Sequence, residues 1–209
     1  MEKNVPTQEI PLFKRLEKQH PFLIMLYLAM TGSGVVFLFL LVGFTKSLEK
    51  FDLSNLVFPK FFFVSTIFIL VSSYFAQKAW IDFHIDEAKS LRKNLFYLFI
   101  MGAAFSICQI LGWQSLLSQG IKFSGRAAGS YVYILTGLHI LHLLAGLIFA
   151  IVQFNHYKKA SEDAVQALIM FSNKYEKMKM RLLKDYWHFL DGLWIIIFLY
   201  LLFFFLLMK

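Results

Sequence analysis

One cysteine, Cys108, is all that the 209 residues contain, so neither an intrachain disulfide nor a thiolate metal cluster is available to this chain. Cys108 sits in an apolar block, where a free thiol is expected to pack as a small hydrophobe. Charge is scarce too, at 16% of residues, and it gathers between long uncharged stretches, which excludes an ordinary soluble domain with charge spread over its surface. The first twenty residues carry charge on both sides of Pro6 and Pro11 and lack an apolar core, so no cleaved targeting segment is expected. No internal repeat, low-complexity linker or DNA-binding motif is found, and no nucleic-acid partner is expected.

What is present is apolar: 58% of residues are hydrophobic and 18% aromatic, with 25 phenylalanines, a composition suited to a bilayer. Phe22 to Phe44 is 23 residues without a charge, enough to cross a hydrocarbon core of about 30 Å at about 1.5 Å per residue. A second span is expected at 61–80, with Lys60 and Lys78 snorkelling from its ends and Trp80 at headgroup level. A third is expected at 94–118, where Gly102, Ala103, Ala104 and Ser106 offer a face for close helix approach. The fourth lies at 130–154 and the fifth at 186–208. The fold class expected is therefore an all-α integral membrane protein of five transmembrane helices, forming a single membrane domain over 1–209.

Lysine and arginine give the orientation. Four lie in the N-terminal arm (Lys3, Lys14, Arg15, Lys18), four in the second connection (Lys78, Lys89, Arg92, Lys93) and seven in the fourth, between 158 and 184. Against these fifteen, the other side has six: Lys46, Lys50, Lys60, Lys122, Arg126 and Lys209. The asymmetry predicts a cytoplasmic N-terminus and a C-terminus outside, a parity that five spans provide. The net charge of +8 then reads as topology and contact with anionic headgroups. In the fourth connection, 156–184, Ser161 is expected to cap a helix with Asp163 in its first turn, and Ala164, Leu168, Phe171 and Tyr175 recur at helical spacing. An amphipathic cytoplasmic segment and an outward continuation of the fifth helix both fit that pattern.

The polar residues inside the spans carry the functional question. A carboxylate in a lipid-length helix costs about 2.5 to 3.5 kcal/mol on insertion scales, so Asp191 needs protein around it or a nearby polar boundary. At about 100° per residue, Trp187, Asp191, Trp194 and Phe198 fall on one stripe, with His188 about 60° to its side, suggesting a protein-facing surface. His188 and Asp191 are one turn apart, within reach of a local hydrogen bond. Beyond Asp191 the helix is apolar apart from Tyr200, so a proton path along it is not expected. His139 and His142 are three apart, with Gly146 one turn on, and hydrogen bonding across a helix interface is favoured over a metal or haem site, which would need further ligands. Gln109, Gln114 and Trp113 are expected to be satisfied polar contacts, and the phenylalanine stripes at 61–63 and 203–205 lipid or packing surface.

Two blocks resemble the subunit III proteins of haem-copper terminal oxidases. Gly129-Ser130-Tyr131 followed by Thr136-Gly137-Leu138-His139-Ile140-Leu141-His142 and Gly146 is similar to that family's G-S-x-(x)n-T-G-x-H-x-x-H-(x)3-G helix. Tyr186-Trp187-His188-Phe189-Leu190-Asp191 with Trp194 is similar to its Y-W-H-F-x-D-x-x-W signature, and the five spans suit the short bacterial form. The resemblance implies an accessory subunit that binds no metal itself and packs on a catalytic subunit I holding haem and copper. Subunit II, other oxidase subunits and phospholipid are the further partners implied, extending to a respiratory supercomplex. The setting is the bacterial cytoplasmic (inner) membrane, with cytochrome c as electron donor and quinol as the alternative. His139, His142, Gly146, Trp187, His188, Asp191 and Trp194 become subunit or helix interface candidates, and His156, Lys158 and Lys159 lipid-contact candidates. One departure matters: where the family's first span carries S-E-x-x-x-F, this chain has Ser33-Gly34-Val35-Val36-Phe37, which removes the acid linked to proton uptake. A nitric oxide reductase companion, a stand-alone transporter and an assembly factor are the competing readings.

Overall fold

A computed structural model describes residues 21–48, 57–123 and 127–207, all of the regular structure in which is helical. The basic residues of the N-terminal arm, with Lys50, Arg126 and Lys209, lie outside the described residues, so the charge asymmetry remains a sequence expectation. Among the described residues five helices are long and apolar enough to cross a membrane: α1 (Pro21–Leu48), α2 (Lys60–His84), α3 (Ala88–Ser118), α4 (Ala127–His156) and, after two short helices, α7 (Lys174–Leu207). The short ones are α5 (Lys158–Glu162) and α6 (Ala164–Ser172). The chain is a five-span helical membrane protein.

Around the bundle each long helix touches the next in the order α1, α4, α3, α2, α7 and back to α1, and α4 also packs across to α7. The two helices that carry the sequence signatures are thus direct neighbours in the middle of the bundle. Two of the largest fully buried side chains, Trp187 and Trp194, stand on α7, and Trp194 lies against Phe62 of α2 and Phe105 of α3.

The connection between the second and third spans differs from expectation. Residues 81–93 look like a charged loop, yet only Ile85, Asp86 and Glu87 separate α2 from α3. Asp86 takes the left-handed conformation (φ 59°) that its short polar side chain tolerates, and Glu87 N–H donates to the Asp82 carbonyl at 3.0 Å. Both helices can run past the bilayer because Asn94 Nδ2 donates to buried Asp82 Oδ2 at 2.5 Å, so their polar residues pair with each other between the helices.

The fourth connection holds both alternatives in succession. Asp163, not Ser161, is the cap: its Oδ1 accepts from Val165 N–H at 2.8 Å, while Ser161 donates to the Lys158 carbonyl. An Asp side chain at this extended position reaches the open amides of the next turn, whereas Ser161 is already inside α5. Helix α6 leaves Val165, Leu168 and Ile169 exposed and turns Ala167, Met170 and Phe171 to the core, so Leu168 faces opposite to the stripe expected for it. From Lys174 onward α7 runs unbroken from its charged first turns into the membrane.

Candidate functional site: the seam between α4 and α7

The inward stripe of α7 is Trp187, Leu190, Asp191, Trp194, Ile197 and Phe198, every one buried. An indole ring in a dry interior brings an N–H that needs an acceptor, and α2 supplies hydroxyls at the right heights. Trp187 Nε1 donates to Ser72 Oγ at 2.9 Å, and Ser72 passes its own proton to the Ile69 carbonyl at 2.6 Å. One helix turn or two further along, Trp194 Nε1 donates to Thr66 Oγ1 at 2.9 Å, and Thr66 donates to the Phe62 carbonyl at 2.7 Å. Trp113 of α3 repeats the device on α4, donating to Thr136 Oγ1 at 2.9 Å, with Thr136 donating to the Val132 carbonyl at 2.8 Å. Each hydroxyl is acceptor for the neighbouring helix and donor to its own backbone. The bundle thereby gains interhelical hydrogen bonds without exposing a polar group to lipid.

Glycines make room for these rings. A Cβ at Gly146 would lie 3.3 Å from the Trp187 ring and 3.4 Å from both Tyr186 and Leu190. At Gly102, from the small-residue face of α3, it would lie 2.9 Å from Leu147 and 3.2 Å from Trp187. Tyr186 adds a tie from α7 to α4, its phenol donating to the His142 carbonyl at 2.9 Å.

The three histidines of the spans are separated. His139 is fully buried, its ring centroid 5.3 Å from Trp194 and 5.5 Å from Phe105, and neither ring nitrogen has a hydrogen-bond partner among the described residues. His142 turns to α1: its Nδ1 donates to the Leu138 carbonyl at 2.8 Å, leaving Nε2 to accept from Ser33 Oγ at 3.1 Å. His188 reaches α2, with Nδ1 2.9 Å from Ser73 Oγ and Nε2 3.4 Å from Gln77 Oε1. Its distance to Asp191 Oδ2 is 3.9 Å, a contact but not the local hydrogen bond that the spacing predicts. Ser73 takes that place. His139 and His142, three residues apart, also diverge, because one ring faces α3 and α7 and the other α1. Among the described residues no three His, Cys, Asp or Glu side chains come together as a metal-holding group.

The remaining expectations fall as follows. Gln109 is only half satisfied: it is buried and its Nε2 donates to Ser65 Oγ at 2.9 Å, tying α3 to α2, while its Oε1 has no hydrogen-bond partner among the described residues. Phe62 and Phe205 are buried, whereas Phe61, Phe63 and Phe203 face outward. Of the lipid-contact candidates, Lys158 and Lys159 are exposed, but His156 is engaged, its Nε2 3.1 Å from Glu176 Oε2. Glu176 also meets Lys179 at 2.7 Å and accepts from the Tyr157 phenol at 3.1 Å. Burial, together with that carboxylate, pushes the Tyr157 hydroxyl well above its usual range, so it stays a donor. The resemblance already marked Ser72 and Ser73 in the second span, but Ser65, Thr66 and this Glu176 cluster were not singled out from sequence. Ser65, Thr66, Ser72 and Ser73 nevertheless stand as pairs seven apart inside an apolar run, a helical-face signal that would have found them.

Comparison with known proteins bears on this seam. A protein of Mycobacterium bovis named "Probable cytochrome c oxidase subunit 3" is 28% identical over 136 residues, 64% of this chain and 61% of its own length. One of Nocardia farcinica with the same name is 30% identical over 130 residues, 62% of this chain and 59% of that protein. The "Cytochrome bo(3) ubiquinol oxidase subunit 3" of Pseudomonas aeruginosa is 30% identical over 135 residues, 65% of this chain and 60% of that protein. Over that matched stretch this chain is similar to oxidase subunit III proteins. It spans about three-fifths of the length of the curated relatives it matches. No protein-family model matches the chain. The two blocks that resemble the family signatures are the two helices that pack on each other, with Gly146 against Trp187 at their contact.

Proposed function

We propose that this chain is the accessory, non-catalytic subunit III of a respiratory haem-copper oxidase of the cytochrome c oxidase type, an enzyme that reduces dioxygen to water and translocates protons. The observation that carries the reading is the agreement between relatives named as oxidase subunit 3 and the α4–α7 seam, where the signature residues serve helix packing. In this reading haem and copper belong to the catalytic subunit I, which the bundle packs against. Subunit II and other oxidase subunits complete the complex, within a respiratory supercomplex. The setting is a bacterial inner membrane, N-terminus toward the cytoplasm, with Lys158 and Lys159 meeting phospholipid headgroups.

The seam's part in this is to fix shape. His139, Trp187, Asp191 and Trp194 are enclosed by this chain's own helices and touch a partner only through the surface they hold in place. Asp191 is the pressure point, because both carboxylate oxygens are buried with no hydrogen-bond partner among the described residues. Asp191→Ala is expected to shorten the turnover lifetime of the oxidase or to loosen this chain from it, with haem spectra unchanged. Shifted or bleached haem bands in that variant would contradict an accessory role.

Gentle detergent purification through a C-terminal tag, followed by optical spectra and partner identification, tests the whole reading. Haem bands and a catalytic oxidase subunit are expected in the same fraction, and a chain that runs without a haem-containing partner would sink the proposal. A quinol-oxidising complex is the second reading, favoured by the Pseudomonas aeruginosa relative named for ubiquinol oxidase. Oxidation of reduced cytochrome c against oxidation of a quinol by the purified complex separates the two. A stand-alone transporter needs interrupted helices or polar groups converging at midplane, and the described parts of the five spans run unbroken.

A further inference from the structure

Between α1 and α7, on the outside of the bundle, lies a hollow of about 330 Å³ lined by Gly34, Phe37 and Leu41 of α1 and by His188, Gly192 and Ile196 of α7. We propose that it seats a transmembrane helix of another subunit of the complex, one that brings a hydrogen-bond acceptor to His188. This deepens the accessory-subunit reading and rests on it.

Two ties between α1 and α7 set the depth of the hollow. Tyr27 bonds to Asp185 near one end and Thr45 to Tyr200 near the other, so the two helices run side by side in the same direction. Gly34, seven residues past Tyr27, therefore stands level with Asp191 and Gly192. Lys184 lies over the Trp80 ring, 5.1 Å from its centroid, and this pairing of cation and indole marks the headgroup level. His188 is four residues deeper than Lys184, about 6 Å along the helix, and Ile196 is about 18 Å deeper. In a hydrocarbon core of about 30 Å, the hollow runs from one turn inside the edge to past the middle.

The two ends of the hollow make different demands. At the shallow end the His188 side chain is 37% exposed. Gln77 Oε1 is an acceptor, so the Nε2 that faces it carries a proton. Their separation of 3.4 Å exceeds the range of about 2.7 to 3.2 Å for a full hydrogen bond, which leaves an N–H poorly used at this depth. In hydrocarbon such a group is costly, because an acyl chain offers no acceptor. At the deep end, Gly34 and Gly192 have nothing within 4 Å of where a Cβ would sit, so both backbones are open to close approach. Small residues at a shared level are what let one transmembrane helix settle against others. A partner helix with a polar side chain near its end and an apolar face beyond it answers both demands, whereas a lipid tail answers only the second.

The test is photo-crosslinking in the complete complex, with benzoylphenylalanine placed at Ile196 or at Ile107, an exposed residue of α3, which does not border the hollow. Ile196 is expected to crosslink to another membrane subunit and Ile107 to lipid. Gly192→Leu fills the hollow from a position with free space, so retention of the chain on the complex is expected to fall about tenfold while its own unfolding midpoint holds. Gly34→Leu is expected to act in the same way and serves if Gly192→Leu does not fold. His188→Phe removes the donor and is expected to lower retention about threefold, the size of one interhelical hydrogen bond in a membrane, with His188→Gln losing less. Crosslinks from Ile196 to lipid alone, or to a second copy of this chain, would overturn the docking face, and a co-purifying haem-containing subunit would leave the accessory reading standing. Full retention of both leucine variants would overturn it as well. Absence of any haem-containing partner would sink the accessory reading and this proposal with it.

Discussion

Helix α7 is held to its neighbours by large rings buried along its inner face, and helix α1 by two buried phenylalanines and by hydrogen bonds spread along its length. The seam of α7 with α2 and α4 encloses Trp187 and Trp194 completely and gives each indole an acceptor. By contrast, five of the 28 residues of α1 are buried. Its ties are Tyr27 to Asp185 Oδ2 at 2.6 Å, Ser33 to His142 at 3.1 Å, and Thr45 to Tyr200. In lipid there is no hydrophobic drive between helices, so association rests on packing and hydrogen bonds. The seam uses both along its length, and α1 uses both more sparsely, with Phe37 and Phe44 as its buried rings. The outward residues of α1, including Met25, Leu28, Leu38 and Phe39, are therefore a face for lipid or for another subunit.

The sharpest way to break this comparison is to remove a ring from the seam. Trp194→Ala opens a cavity among Phe62, Phe105 and His139 and is expected to cost about 3–5 kcal/mol, read as a fall in the thermal unfolding midpoint. Trp194→Phe keeps most of the volume and loses only the bond to Thr66, which still donates to its own helix, so about 1 kcal/mol is expected. A loss at Trp194→Ala no larger than at Trp194→Phe would show that ring volume is not what welds the seam.

Glycines give the comparison a second edge, because the same residue type stands in both regions with opposite surroundings. Gly102→Val drives methyl groups against Leu147 and Trp187, with an expected cost of about 1–3 kcal/mol. Gly34 of α1 has nothing within 4 Å of where a Cβ would sit, so Gly34→Ala is expected to be neutral or to stabilise by up to about 1 kcal/mol through helix propensity. Similar unfolding midpoints for the two variants would refute the difference drawn between α7 and α1.

Much of this was legible in the sequence, and the parts that were not share a cause. Span number and the inward stripe of α7 follow from apolar length and a 3.6-residue period, which act locally. The close approach at Gly146 also followed, since a glycine one turn beyond His142 on an apolar helix has few other uses. Loop lengths were misjudged where polar residues pair across helices, as Asp82 and Asn94 do, because pairing over twelve residues leaves no periodic trace. The partners of the histidines were hidden for the same reason. His188 meets Ser73 and His142 meets Ser33, more than a hundred residues away in each case, and only the packed bundle brings them together.

Ser33 is where the smallest effect is expected. His142 Nδ1 donates to the Leu138 carbonyl whether or not Ser33 is present, so the imidazole keeps its tautomer and its place against Phe37. Ser33→Ala deletes only the hydroxyl that Nε2 accepts from, and interhelical bonds of this kind average about 0.6 kcal/mol in membranes. A double-mutant cycle of Ser33→Ala with His142→Phe isolates that term, read from unfolding midpoints in one detergent. Coupling near 0.6 kcal/mol, on the order of that average, would confirm that α1 hangs on individually weak polar ties. Coupling of about 2 kcal/mol or more would exceed the largest values typical of such bonds and would move α1 into the same class of attachment as α7.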